Sequence, residues 1–495
     1  MSYKKSIFSI SPAVEVAYDL HLSAALMRAC VSDGRSEASL LRDAKEFRSK
    51  LQEDLNGGWK DGFSLRKIME DKALRAPFTT SQRNGVVDEL ASARHVPISV
   101  NLALVTDFVR NTPNLWAVGD RMALMVRRGA PNRNEYERVM NAIASDDADC
   151  WASFVNFKLN ELITKSEFSP EEGDIKDRLT AKDKKPKNLE HVLSSEDVEM
   201  RALLYPSASE LFVSLEALIG WKRGLLSSHF SSLLDSLLRL HAFSEVRHLS
   251  MANSLLLELA LTADEQDYTE DDIRDKFRSL QSRSALSSDA DLNDEIDNCA
   301  SLLERARVFF NEFPDSYGIE TKISSLSNIA DWFSKIRAGD ASFKLFKKRF
   351  RASFDNGSQA REIKNSPSLK NFKEFLKYVV QQRVVDTGLA GQFDQGYWAQ
   401  KSGAYRAAPW KMRISPVGSL LFAGLACRGL PSCTFSDISE RMKLAGLSVS
   451  KTGKSQLHLN LKSLGLTIDS PDGVGGFLVS NPFKKHPLKN THETE

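Results

Sequence analysis

The sequence predicts a mainly α protein, a multi-helical bundle or α-solenoid-like body ending in a domain of helices and a β-hairpin. Three observations predict it. Leu-rich segments repeat at helical spacing, with only 16 Pro in 495 residues. Strand-like alternation is rare before residue 465. The charge also divides along the chain, although Lys+Arg (67) and Asp+Glu (65) almost cancel. From Ala341 onward there are 24 Lys/Arg against 11 Asp/Glu, and the preceding 340 residues carry 43 against 54. Such a basic end points to nucleic acid or an acidic surface as its partner. The alternative is that the two parts attract each other.

The first 165 residues read as an N-terminal helical domain. Ser11–Ala29 opens with Ser-Pro and places Val14, Ala17, Leu20 and Ala24 at helical steps. Ser36–Leu55 stops at Asn56-Gly57-Gly58, and Ser64–Leu74, Ser81–Arg94 and Asn101–Arg110 follow. Asn134–Leu162 is expected to break near Ser145-Asp146-Asp147. Residues 166–198 are polar and read as a linker or loop. Residues 199–340 form an acidic helical domain with Leu-rich Ser207–Trp221 and Leu225–Leu261, acidic Asp264–Asp275 and Ser288–Asp297, and amphipathic Cys299–Phe310.

Residues 341–412 are a basic helical connector. Lys344, Lys347, Lys348, Arg349, Arg351, Arg361, Lys364, Lys370, Lys373 and Lys377 face only Asp355, Glu362 and Glu374. Phe343, Phe346, Phe350, Phe354, Phe372 and Phe375 fall at roughly helical steps, so they read as core anchors on two helices joined near Asp355-Asn-Gly-Ser. Trp398, Tyr397, Tyr405 and Trp410 then lie among Lys401, Arg406, Lys411 and Arg413, an aromatic and basic stretch expected to buttress the C-terminal segment.

Residues 413–483 carry the most specific pattern. Ser415-Pro416 opens a helix that stops at Gly429, Thr434 or Ser436 caps a second ending at Ala445-Gly446, and Ser448 or Ser450 opens a third ending at Leu464-Gly465. Leu466–Ser470 and Phe477–Ser480 read as strands around a Pro471–Gly476 turn. At about 100° per residue, Leu457, Leu461 and Leu464 share one face of the third helix. Lys451, Ser455, His458 and Lys462 share the opposite face, with Lys454 at its edge. Leu459 interrupts the polar side, and the hairpin tip carries Asp472 where a groove-probing wing would carry Arg or Lys. Residues 484–495 read as a disordered tail.

In order and spacing this segment resembles the winged helix-turn-helix family, over about one-seventh of the chain. The resemblance implies double-stranded DNA binding, or in some members protein contacts alone. It makes the third helix the recognition helix, with Lys residues on phosphates and Ser455, Gln456, His458 and Asn460 on phosphates or base edges. A large helical body with such an end also occurs among bacterial defence and mobile-element accessory proteins.

Other constellations fail on spacing. Gly453-Lys454-Ser455 lacks the first Gly of a phosphate loop, since position 448 is Ser. Pro314-Asp315 with Glu320 and Lys322 has the letters of a Mg²⁺ nuclease but too few residues between them for paired strands. His241, Glu245 and His248 share a helix face within about 60° but show no fourth ligand, so they read as a polar cluster. Cys427 and Cys433 lack zinc spacing, and Asp289, Asp291 and Asn293 lack the Gly and Glu of a calcium loop. Arg121, Arg127, Arg128, Arg133 and Arg138 read as solvated helix ends. Five Cys far apart, no signal-like start and no apolar run near 20 residues point to a cytoplasmic protein with reduced thiols.

The expectation is a non-catalytic accessory or scaffold subunit of a DNA-handling complex, without metal, cofactor, membrane or small-molecule substrate. Lys451, Lys454, Ser455, Gln456, His458 and Lys462 would bind nucleic acid, aided by Lys347, Lys348, Arg349 and Arg351. The acidic body would hold other subunits. The alternatives are a nuclease on Asp315, Glu320 and Lys322, and a scaffold whose winged helix contacts protein.

Overall fold

The computed structural model describes residues 22–30, 118–145, 197–225, 227–312, 325–339, 341–355, 367–381, 397–402, 408–468 and 477–483. The helices expected at Ser36–Leu55, Ser64–Leu74, Ser81–Arg94 and Asn101–Arg110 lie outside these residues. So do the polar linker, the Asp315/Glu320/Lys322 letters, Tyr405, Arg406, the 469–476 turn and the tail. Among the described residues the protein is mostly helical, and no single helix is long and apolar enough to cross a membrane.

Three helices precede the Leu-rich body: α1 (Leu22–Cys30), α2 (Val118–Gly129) and α3 (Arg133–Ala144). Helix α3 starts where the Asn132 side chain accepts the Glu135 N–H (3.0 Å), and it stops at Ser145, where the break was expected. The short α4 (Val198–Leu204) and α5 (Ala208–Lys222) lead into α6 (Ser227–Thr262). At 36 residues, α6 is about 54 Å long. Its apolar residues occupy every side. Leu233, Leu234, Leu237, Leu238, Phe243, Val246, Leu249, Leu256 and Leu257 are all buried. A helix apolar all round must be surrounded, and α6 packs against α1, α4 and α5 as well as against later elements.

Helix α7 (Glu270–Arg283) begins with a capping box of Thr269 and Asp272. The strand β1 (Leu286–Ser287) then leads to α8 (Leu292–Glu312), α9 (Leu326–Arg337), α10 (Ala341–Asp355) and α11 (Pro367–Val380). The phenylalanines of the connector are core anchors: Phe343, Phe350, Phe372 and Phe375 are buried, and Phe346 and Phe350 meet Phe309 at 5.4 and 5.1 Å. The side chain of Phe354 is not among those described. The antiparallel strands β2 (Ala399–Lys401) and β3 (Trp410–Met412) carry Trp398 at their entry.

The C-terminal segment runs α12 (Pro416–Cys427), β4 (Ser432–Thr434), α13 (Phe435–Leu444), β5 (Leu447–Ser448), α14 (Lys451–Ser463), β6 (Thr467–Ile468) and β7 (Leu478–Ser480). Each boundary has a local cause. Ser415 caps α12 with Pro416 at its first position, Thr434 and Asp437 form a capping box on α13, and Ser450 caps α14. Gly429, Gly446 and Gly465 take positive φ at the three C-terminal ends. The strand β4, which no sequence pattern marks, joins a three-stranded antiparallel sheet in the order β4-β7-β6. Three residues with one apolar side chain, Cys433, give no alternation to read. Leu464, expected on the docking face, ends α14 and is 40% exposed.

This segment is built into the body. The strand β5 pairs in parallel with β1, and Ser244 Oγ donates to the Ala445 carbonyl (2.9 Å). Arg441 pairs with Glu210 (2.6 Å) and α12 packs on α6. One apolar cluster runs from Leu22 to Val479, through the boundaries drawn at 340 and 412. The indole of Trp398 is fully buried against α12, in T-shaped contact with Phe422 (5.9 Å), and Nε1 donates to the Ser236 carbonyl (2.8 Å). A Cβ at Gly418 would stand 2.5–3.0 Å from three atoms of that ring. The anchored indole cannot swing aside, so Gly418→Ala is expected to destabilise the fold by about 1–3 kcal/mol, the usual cost of overpacking. Urea unfolding reads this directly, and a wild-type midpoint would refute the packing described.

Candidate nucleic-acid interface

Helix α14 begins with its amides already engaged. Ser450 Oγ accepts the Gly453 N–H (3.0 Å), and Ser288 Oγ accepts the Ser450 N–H (3.0 Å). Gly453 is buried, and a Cβ there would collide with Ser288 Oγ. Gly453-Lys454-Ser455 is therefore a close-packed helix start and not a cradle of free amides.

The inward row of α14 is Gly453, Leu457, Asn460 and Leu461. Asn460, expected to reach nucleic acid, is instead buried. Its Nδ2 donates to the Ile414 carbonyl (2.8 Å) and to Ser419 Oγ (2.9 Å), which fastens α14 to α12. Gln456 is half-buried and donates to Asn460 Oδ1 (2.9 Å). His458 is half-buried, its ring edge-on to Phe477 at 4.3 Å. Lys451, Lys454, Ser455 and Lys462 are exposed. The helix contains no Asp or Glu, and its three lysines make no ion pair with a described residue. A row of cations with no acid on its own helix is a positive surface, although Asp289, bonded to Arg413 and Thr452, lies at the start of that helix.

The connector divides differently from the sequence expectation. Lys348, Arg349 and Arg351 are exposed on α10, but Lys347 is 6% exposed and lies between Asp264 (2.8 Å) and Glu265 (2.6 Å). Its charge is neutralised inside the protein. The reason was present in the spacing, since Lys347 stands in the row of Phe343 and Phe350, one face of the helix.

The polar cluster on α6 is closed to solvent. Glu245 is 4% exposed and pairs with Arg121 (3.0 Å) and Arg128 (3.8 Å). The Arg128 guanidinium lies 3.5 Å from the centre of the Tyr205 ring. These two arginines, expected at solvated helix ends, are the inward charges of α2. Among their neighbours in sequence, Arg133 pairs with Glu137 and Arg138 with Glu135 and Glu216. His248 Nε2 donates to the Leu203 carbonyl (2.9 Å), which fixes the proton on that nitrogen. Among the described residues no group of three His, Cys, Asp or Glu side chains is placed to hold a metal. Asp289 pairs with Arg413, and Asp291 Oδ1 accepts the Asn293 N–H (2.9 Å) at the start of α8. Cys427 and Cys433 are buried free thiols.

No protein-family model matches the chain, and no curated protein or solved structure matches it either.

Burial pushes the His241 imidazole down to about 3 and that of His248 down to about 4, from an ordinary value of 6.5. The folded state thus refuses protons that the unfolded chain accepts below pH 6.5. Stability is complete above that pH and falls as pH drops toward 4. Between pH 7 and pH 5 each histidine is expected to cost about 2 kcal/mol, at 1.36 kcal/mol per pH unit. Urea midpoints at the two pH values check this: His241→Leu should lose less stability than wild type, and an identical loss would refute it.

Proposed function

We propose that the protein binds duplex nucleic acid through the exposed lysine face of α14, as a non-catalytic accessory or scaffold subunit. The single observation that carries the reading is the row Lys451, Lys454 and Lys462, exposed and without an acid on the same helix. The order helix, strand, helix, strand, helix, strand, strand, with β5 paired to β1 and the other three strands in one antiparallel sheet, supports a winged helix-turn-helix with α14 as its recognition helix. Because Gln456 and Asn460 are turned toward the protein and Ser288 covers the start of α14, contacts fall mainly on phosphates, which position without specifying sequence. The exposed acids of α7, among them Glu270, Asp271, Asp272 and Asp275, repel a phosphate backbone and suit other protein subunits.

A second reading has its own observation. Ile468 and Leu478 are paired across β6 and β7, 45% and 40% exposed, and Leu459 is 58% exposed among the lysines. An apolar surface of this kind suits a protein partner.

Fluorescence anisotropy with a labelled duplex separates the two. Binding is expected to weaken steeply with salt, because each neutralised phosphate releases counterion. Replacing Lys451, Lys454 and Lys462 with Glu together should reduce the slope of log K against log salt by about 3, at about 0.9 per phosphate contact. Unchanged affinity and slope in that variant would remove α14 from the interface. No duplex binding at low salt would leave the protein-docking reading.

A further inference from the structure

A groove of about 720 Å³ runs between α5 and the C-terminal ends of α12 and α13. This size suits a small organic molecule and a seam between packed units is a common place for one. One wall is a face of α5, with Val213, Ala217 and Trp221 at four-residue steps, and Leu425 of α12 stands opposite. Gly220 leaves room, and Gly424 is packed closely. A Cβ at Gly220 would meet nothing within 4 Å, whereas one at Gly424 would collide with Phe483 and Trp221. At that closed end the rings of Trp221 and Phe483 stack at 4.1 Å.

The polar groups are Ser214, Arg428 and Arg441. Ser214 lies seven residues from Trp221, about 10 Å along α5. Glu210 holds Arg441 through Oε2 (2.6 Å) and accepts from Ser214 Oγ through Oε1 (3.4 Å). Arg428 has no such partner: it is exposed and makes no ion pair with a described residue. It is also the only non-glycine with positive φ (48°) among the described residues, a conformation glycine adopts without strain. Burial raises the Glu210 carboxyl above the usual carboxylate range against the attraction of Arg441 and Arg428, and Arg428 also attracts Asp437.

We infer that this groove binds a small organic anion with a flat apolar body, the body lying along Ala217 and Trp221 and its anionic group paired with Arg428. Charge complementarity selects this occupant. Arg441 is already answered by Glu210, so the cation left to the groove is Arg428, which an anionic group would meet and a cationic one would not, and a duplex is far larger than the groove. The inference is independent of nucleic-acid binding by α14.

Titration of the full chain with 8-anilinonaphthalene-1-sulfonate, an aromatic anion that fluoresces in apolar sites, tests it. Its uncharged counterpart N-phenyl-1-naphthylamine supplies the same body without the charge. Saturable binding of one equivalent of the anion is expected. Arg428→Gly should weaken that binding at least tenfold while leaving the neutral dye within twofold, and Arg428→Lys should retain most of the anion's affinity. Because glycine suits the backbone at 428, this variant should melt at or above the wild-type temperature, which excludes misfolding as the cause. Gly220→Phe fills the open space and should abolish binding of both dyes. Anion binding unchanged in Arg428→Gly and Gly220→Phe would place the dye on exposed leucines elsewhere and overturn the proposal. Absence of saturable binding would overturn it as well, and equal loss of both dyes in Arg428→Gly would overturn the pairing with charge.

Discussion

The rest of the fold depends on the burial of α6 on every side. An α-helix satisfies its own backbone hydrogen bonds, so it can lie inside a protein without stranding polar main-chain groups. Ser250 and Asn253 turn back to carbonyls of α6 itself, but several of its polar side chains find partners on different neighbours. Arg239 is fully buried, bonds Asp235 (2.5 Å) and the Val379 carbonyl of α11 (3.0 Å), and lies over the Tyr397 ring at 4.1 Å. Glu245 takes the arginines of α2, Arg247 takes Glu295 of α8 (3.1 Å), and His248 takes the end of α4. Ser244 takes the turn before β5. Buried pairs add little net stability, because desolvation offsets attraction. Their consequence here is registry, since a slip of any neighbour along α6 would leave a charge or a carbonyl buried and unanswered.

The same logic explains the near-neutral total charge. Several cations of the basic end answer acids of the earlier part: Lys347 with Asp264 and Glu265, Lys373 with Asp297, Arg413 with Asp289, and Arg441 with Glu210. Attraction between the two parts therefore accounts for a share of the division. The lysines of α14 lie outside that share. They are exposed, as are Lys348, Arg349 and Arg351 of α10.

Helix starts and stops were legible in the sequence wherever a short-range rule governs them. Ser415-Pro416, Thr434 with Asp437 and the glycines at 429, 446 and 465 each set a boundary by a contact within four residues. The docking leucines Leu457 and Leu461 were legible by angle. Asn460 was not, because its partners Ile414 and Ser419 are more than 40 residues away and nothing in the local pattern names them. For the same reason Arg121 and Arg128 read as surface charges: their acid lies on another helix, over a hundred residues distant.

The sequence by itself determined the helical class, the three helices of the C-terminal segment with their boundaries, and the division of charge. Those follow from periodicity, capping and composition, all local or additive quantities. Only the tertiary structure decided which charges are used up within the protein and which face outward. It also decided that the β1–β5 pairing and the Ser288 contact hold the C-terminal segment on the body, and that a groove opens beside Arg428. The physical reason is that burial and pairing are properties of chain segments far apart in sequence, and charge is neutralised by what is near in space.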